Sequence, residues 1–405
     1  MSKSEIKIRV LYVIDKMVRA GAQSHLRQVI TGLDHRHFQP YLCCLLYKGP
    51  LAEELEKGGY PVESLQLENI MGLNFFRAIR GLSEIIRHHK IDLIHAYLFA
   101  ANIVSPVAGF FSGIPVITSR RDSGFWKKGQ HILAHRVMNT ITAGITANSG
   151  EVTQYLRDRE RVKRDKIALI WNGLELPPPR AAMEIPVDSK NKFVIGMLGN
   201  IRPVKGYEDL LTAISRLPAE YSFEVRIAGR VLDREYYNQL MDLIGKNHLE
   251  DRVVFKGEVE DPAAFLRELH IFVLPSLSEG FSNALLEAMG NGAAVIATAV
   301  GGNKEMITDG EDGFLVKPGE PENIAVRLKA LMDEPERIPA MGRAARQRVE
   351  DQFSADKMCR SLEELYLKLT IPTTGKGGTR GVINLYALIK SGAFRTTLAK
   401  YHKYQ

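Results

Sequence analysis

The 405-residue chain predicts an α/β protein made of two doubly wound parallel-sheet domains facing a central cleft, and three observations lead there. Short apolar runs rich in β-branched residues recur without polar alternation, as strands buried on both faces do. Helical patterns separate these runs, as the crossovers of a parallel sheet require. The rhythm halts once, in a proline-rich stretch, and then starts again.

The first domain is expected over residues 1–175. Its opening, MSKSEIKIRVLYVID, passes directly from charged residues into a strand, IKIRVLYVI (6–14), and lacks the apolar core of a signal peptide. Further strands are expected at YLCCLLY (41–47), IDLIHAY (91–97), PVITS (115–119), AGITANS (143–149) and KIALIWNG (166–173). Residues 96–119 carry no charge and exceed the ~20 residues that span a bilayer. Pro106, Gly109, Gly113 and Pro115 divide that stretch into a short helix and a strand, so it is expected in the core.

Residues 176–190, LPPPRAAMEIPVDSK, hold Pro177, Pro178, Pro179 and Pro186, which supply no ladder or helix donors. They are expected to form a semi-rigid hinge. The second domain, 191–353, repeats the pattern with KFVIGMLG (192–199), EVRIAG (224–229), RVVFKG (252–257), HIFVLPS (270–276), AAVIAT (293–298) and the shorter GFLVKP (313–318). A helix within 354–370 is expected to complete the first domain.

Composition narrows the function classes. Apolar residues at 45% and charged residues at 25% are those of a soluble globular protein. The net charge of +7 is concentrated in the tail 371–405, which has six Lys or Arg and no Asp or Glu. A nearly neutral body argues against nucleic acid as a partner. Apolar residues such as Ile383, Leu388 and Phe394 are interspersed among the tail's cations. That pattern reads either as an interfacial helix on an anionic membrane or as a segment packed on the first domain. Cys43, Cys44 and Cys359 are too few for a disulfide framework, so the expected place is the cytoplasm, peripheral on the inner face of the membrane if the tail binds lipid.

Two constellations can carry chemistry. In GNIRPVKGYEDLLTAI (199–214), Arg202 and Lys205 lie on a glycine-flanked loop between a strand and an amphipathic helix. A planar fork, a point charge and a helix end together suit a diphosphate, although R-x-x-K alone is often a pair of solvated charges. In LPSLSEGFSNALLEAMGNGAAVIAT (274–298), a strand ends at Pro275, Glu279 stands in a turn, and Ser282 caps a helix containing Glu287. Amides at Gly280, Phe281, Ser282 and Asn283 would face an anion, and two carboxylates would accept from sugar and ribose hydroxyls.

Taken with GFLVKPGEPENIA (313–325), these segments resemble the retaining, nucleotide-sugar-dependent glycosyltransferases of family 4, whose GT-B fold pairs two Rossmann-like domains. The resemblance runs from residue 6 to about 369. It implies that Arg202 and Lys205 hold the donor diphosphate, helped by the amides of 280–282, and that Glu287 accepts from the ribose. It gives Glu279 the transferred sugar and the positive charge developing at its anomeric carbon. Gly21, preceded here by Ala20 where the family often has a second glycine, would let the backbone approach the donor.

His95 ends a strand where the family commonly has a histidine; as a residue of this chain it suits the core equally well. Many relatives have a histidine near the position of Arg120. Arginine cannot serve as a base, but with Arg121, Lys127, Lys128 and Arg136 nearby it could bind an anionic acceptor. No Asp-x-Asp pair occurs, so cations and amides are expected to neutralise the leaving group with no divalent metal or other cofactor. The expected partners are a UDP- or GDP-linked sugar and a saccharide or lipid-linked acceptor. An epimerase on the same fold and a non-catalytic sugar-nucleotide-binding subunit remain alternatives. A nicotinamide oxidoreductase is disfavoured, since no G-x-G-x-x-G follows either domain's first strand.

Overall fold

The computed structural model describes residues 7–122, 124, 127–179 and 192–370. The chain separates into two compact units, one of residues 1–171 with 356–405 and one of residues 172–355.

The first unit is a seven-stranded parallel sheet of β1 (Ile8–Ile14), β2 (Phe38–Cys44), β3 (Val62–Ser64), β4 (Leu93–Ala96), β5 (Val116–Arg120), β6 (Gly144–Ala147) and β7 (Ile167–Leu169). Its order is β3-β2-β1-β4-β5-β6-β7. Along β1, Leu11 and Val13 enter one core with Ile94, Ala101 and Val104, whereas Val10, Tyr12 and Ile14 enter another with Leu26, Val29 and Leu42. Two covered faces explain why the strand shows no polar alternation. Each such side chain contributes about 1.5–3 kcal/mol by leaving water. The edge strand β3 was not expected, because Val-Glu-Ser is short and none of its residues is buried.

Gly113, at φ 70°, ends the helix Leu98–Ser112, which contains Pro106 without being interrupted by it. Eleven of its fifteen residues are buried, which accounts for the uncharged sequence. Among the described residues no helix is long and apolar enough to cross a membrane.

The second unit is a six-stranded parallel sheet of β8 (Phe193–Leu198), β9 (Phe223–Ala228), β10 (Val253–Gly257), β11 (Ile271–Leu274), β12 (Ala294–Thr298) and β13 (Phe314–Val316), in the order β10-β9-β8-β11-β12-β13. In each sheet the winding reverses beside the first strand, between β1 and β4 and between β8 and β11. Beyond the carboxyl ends of those strands lies a crevice where such folds bind ligands.

The units change over at residues 171/172 and 355/356, a few residues from the expected 175 and 354. The reason is a short backbone pairing: Leu174 N–H donates to Phe353 O at 2.8 Å, and Ala355 N–H donates to Leu174 O at 3.0 Å. The helix Ala355–Thr370 then leaves for the first unit and buries Met358, Cys359, Leu362 and Tyr366 in its core. Residues 180–190 of the hinge and the basic tail 371–405 lie outside the described residues.

Candidate functional site

In the second unit the loop after β8 leads into a 3-10 turn, Pro203–Lys205, ended by Gly206 at φ +67°. A Cβ at Gly206 would stand 2.2 Å from Pro275 O, so only glycine lets this loop lie against the end of β11. The approach brings Lys205 Nζ to 2.6 Å from Glu279 Oε1. Ser276 Oγ donates to the same oxygen at 2.7 Å. Ser276 is itself fully buried, and its carbonyl accepts from Thr298 Oγ1 at 2.6 Å. Glu279 is thereby held in one orientation by two donors on one oxygen. Arg202 is exposed and, among the described residues, makes no side-chain hydrogen bond or ion pair.

The turn carrying Glu279 rests on a second glycine. Gly301 has φ +52°, and a Cβ there would sit 2.2 Å from Glu279 O. The next residue, Gly302, donates its N–H to Gly280 O at 2.7 Å. Beyond the turn, Ser282 caps the helix Asn283–Gly290, accepting from Leu285 N–H at 3.4 Å. The ring of Phe281 is 5% exposed and packs edge-on against Phe353, so only its backbone can meet a ligand. Among the described residues the amides of Gly280, Phe281 and Ser282 have no partner, which is the form an anion cradle takes at a helix start. Asn283 is fixed from the side by Asn172, whose Nδ2 donates to its Oδ1 at 2.6 Å.

Glu287, in the middle of that helix, is half-buried, and its carboxylate has no partner among the described residues. Burial alone pushes its pKa up to about 7. Lys205, Glu279, Glu287 and the three amides therefore gather beyond β8 and β11, with opposite charges paired where they meet and one carboxylate left waiting for donors. Among the described residues no three His, Cys, Asp or Glu side chains form a group that could hold a metal ion.

In the first unit, Gly21 is exposed at the start of the helix Gly21–Gly32 that follows β1. His95, left open between core and site, is a core residue with no exposure. Its Nδ1 meets Tyr366 OH at 2.7 Å and its Nε2 meets Ser119 Oγ at 2.8 Å. Tyr366 OH in turn lies 3.1 Å from Tyr12 OH. Burial, with the charge of Arg121, pulls the His95 pKa down to about 3, so the ring is neutral. Nδ1 is thus committed to Tyr366 of the helix Ala355–Thr370 and Nε2 to Ser119 of β5, the bonding of a core residue rather than of a base open to a substrate.

Arg120 also departs from expectation. It is 3% exposed, its Nε donates to Glu160 at 3.1 Å, and Nη2 donates to Asn139 at 3.1 Å. Glu160 has no side-chain exposure and takes Lys127 Nζ at 3.1 Å and His135 Nδ1 at 2.8 Å as well. Burial pushes the Glu160 carboxyl up, but Arg120, His135 and Lys127 outweigh it and hold the group well below the ordinary carboxylate range. Two of the expected acceptor cations, Arg120 and Lys127, are thus spent on a buried carboxylate. Arg136 donates to Arg159 O at 2.9 Å, and Lys128 is exposed. Sequence reasoning missed Ser276 and Glu160; only the S-x-x-E spacing of Ser276 offered a signal.

Comparison with known proteins adds the following. The family model for glycosyl transferases group 1 matches residues 181–348, and that for glycosyltransferase family 4 matches residues 19–176. The N-acetyl-α-D-glucosaminyl L-malate synthase of Bacillus anthracis is 30% identical over 58% of this chain and 58% of its own length. The UDP-Gal:α-D-GlcNAc-diphosphoundecaprenol α-1,3-galactosyltransferase of Escherichia coli is 23% identical over 92% of this chain and all of its own. The Anabaena protein HepE (Alr3699), crystallised with UDP, superposes with a TM-score of 0.79 at 21% identity, covering 89% of this chain and 100% of the other. At that identity the likeness establishes the fold alone.

Proposed function

The chain belongs to the family-4 glycosyltransferases of GT-B fold, and from that premise we propose that it transfers a hexosyl unit from a UDP- or GDP-linked sugar to a saccharide or lipid-linked acceptor, with retention at the anomeric carbon. The observation that carries the reading is the set at the carboxyl ends of β8 and β11: Lys205 beside Glu279, the open amides of Gly280 to Ser282, and Glu287 without a partner. In this account Arg202, Lys205 and the amides bind the diphosphate, Glu287 receives the ribose hydroxyls, and Glu279 faces the transferred sugar. The name of the E. coli relative supplies a lipid-linked acceptor of the proposed kind, whereas that of the B. anthracis relative names L-malate, a small anion outside it. Assembly of polysaccharide or glycolipid in the cytoplasm, at the inner face of the membrane, completes the proposal.

Donor binding begins with an exchange. Before the donor arrives, Lys205 is neutralised by Glu279; a diphosphate offers it more negative charge and releases the carboxylate toward the sugar. Lys205→Ala and Glu287→Ala are each expected to weaken donor binding about 10–100-fold, the ~1.5–3 kcal/mol of a hydrogen bond to a charged group. Titration calorimetry with UDP, GDP and their sugars checks this, and unchanged affinity in both variants refutes the site.

The Glu287 carboxyl gives the binding a pH signature. Ribose hydroxyls donate, so they bind the ionised form, and a group with its pKa near 7 is mostly protonated below that value. Donor affinity should therefore rise about tenfold between pH 6 and pH 8, as the ionised fraction grows, and level off above. Glu287→Ala should lose the slope together with the affinity; a flat wild-type profile would contradict the ribose role.

Fixed cations and amides take the place of a divalent metal at the leaving diphosphate. Turnover is expected to persist in EDTA, and a loss restored only by Mg²⁺ or Mn²⁺ would overturn that part of the mechanism.

A further inference from the structure

Glu279 is fastened by one oxygen only. Lys205 Nζ and Ser276 Oγ both reach Oε1, at 2.6 and 2.7 Å, and among the described residues nothing bonds to Oε2. The two donors differ in kind. Lys205 is a charged group on a long stem at the end of the turn Pro203–Lys205, with 14% of its side chain exposed, whereas Ser276 is a short neutral donor with no exposure.

Ser276 also stands on a buried brace. Thr298, the last residue of β12, donates its hydroxyl to Ser276 O at 2.6 Å and approaches Leu274 O of the neighbouring β11 at 3.4 Å. Thr298 O in turn accepts from Asn303 Nδ2 at 3.0 Å, and Thr298 and Asn303 are both fully buried. The backbone at 276 is thereby set three residues before Glu279. A hydroxyl on a fixed backbone has only its χ1 rotamer to choose, so its bond to Oε1 is easily kept.

The exchange that begins donor binding removes one of the two bonds on Oε1. A carboxylate held by Lys205 alone would then be released among the rotamers of a side chain with several rotatable bonds; one held by Ser276 as well keeps Oε1 in place and presents Oε2. We propose that Ser276 is a positioning residue for the transfer step: it keeps hold of Glu279 Oε1 once the donor has drawn Lys205 away, so that Oε2 is the oxygen facing the anomeric carbon. This rests on the transferase reading above, to which it adds the residue that aims the carboxylate and the oxygen that is aimed.

The test compares Ser276→Ala, Glu279→Ala and the double variant in the full chain. Turnover is read as release of nucleoside diphosphate from UDP- and GDP-linked sugars, and binding by calorimetry with UDP and GDP. Ser276→Ala should lower turnover about tenfold, the lower end of what a hydrogen bond to a charged group is worth. Nucleotide affinity should change less than about twofold, because the bond is present with and without the nucleotide and its loss cancels. Ser276→Cys, a weaker donor of similar size, should fall between the alanine variant and wild type. In the Glu279→Ala background Ser276→Ala should cost less than about twofold, since no carboxylate is left to aim, whereas a merely structural serine would cost its full tenfold there too. Additive losses, or normal turnover in Ser276→Ala beside slow turnover in Glu279→Ala, would overturn the positioning role and leave the assignment of Glu279 standing. Full turnover in Glu279→Ala would overturn both, and failure of both nucleotides to bind would remove the donor site and this proposal with it. A crystal of the wild type with UDP decides independently of turnover: Lys205 Nζ should lie on the diphosphate with Ser276 Oγ still within about 3.2 Å of Glu279, and a Glu279 that has left Ser276 would overturn the proposal.

Discussion

Glu279→Gln is expected to lower turnover about 10²–10³-fold while donor affinity stays level or improves, an effect of ~2.7–4 kcal/mol at the transition state. Glutamine keeps the shape of the side chain and one oxygen for Ser276 and Lys205 to approach, which are 2.7 and 2.6 Å from Oε1 in the native protein. It loses the negative charge. Positive charge accumulates at the anomeric carbon only as the bond to the diphosphate breaks, so the lost interaction belongs to the transition state and not to the bound donor. The ground state moves in the opposite direction: without its carboxylate partner, Lys205 is available to the diphosphate from the start. Steady-state kinetics paired with calorimetric donor titration separates the two. Parallel losses in turnover and donor affinity would mean that Glu279 is a binding residue, and the proposed role would fail.

Glu160→Ala should be among the most damaging changes in the first unit, at about 3–5 kcal/mol, because it strands charges that cannot reach water. Arg120 and Lys127 keep 2% side-chain exposure each, and both point at the carboxylate that would be gone. At ~2–4 °C per kcal/mol for a unit of this size, the melting temperature should drop by roughly 6–20 °C. Glu160→Gln, which retains an acceptor for His135, should fall between the alanine variant and wild type. Hydrogen exchange is the decisive readout, since the loss of protection should be confined to the first unit. A shift of under about 2 °C would show that the cluster is solvated and contributes little.

These two carboxylates differ in how far they can be read in advance. Glu279 is legible in part because Ser276, Gly280 and the cap Ser282 lie close to it in sequence, although Lys205, 74 residues away, is also its partner. Glu160 is not, because its partners come from residues 120, 127, 135 and 139, and nothing in R-D-R-E distinguishes it from a surface glutamate. The same difference separates Arg202, exposed on its glycine-flanked loop, from Arg120, whose charge is consumed 40 residues away.

The amino-acid sequence alone determined the two parallel-sheet α/β units, because strand periodicity and turn glycines act over short stretches of chain. Which polar groups are spent and which remain open was decided only by tertiary structure. His95 was closed off by a tyrosine 271 residues away, and Lys205 was brought to Glu279 from another loop. Burial and pairing depend on what the rest of the fold delivers to a point, and no local pattern records that.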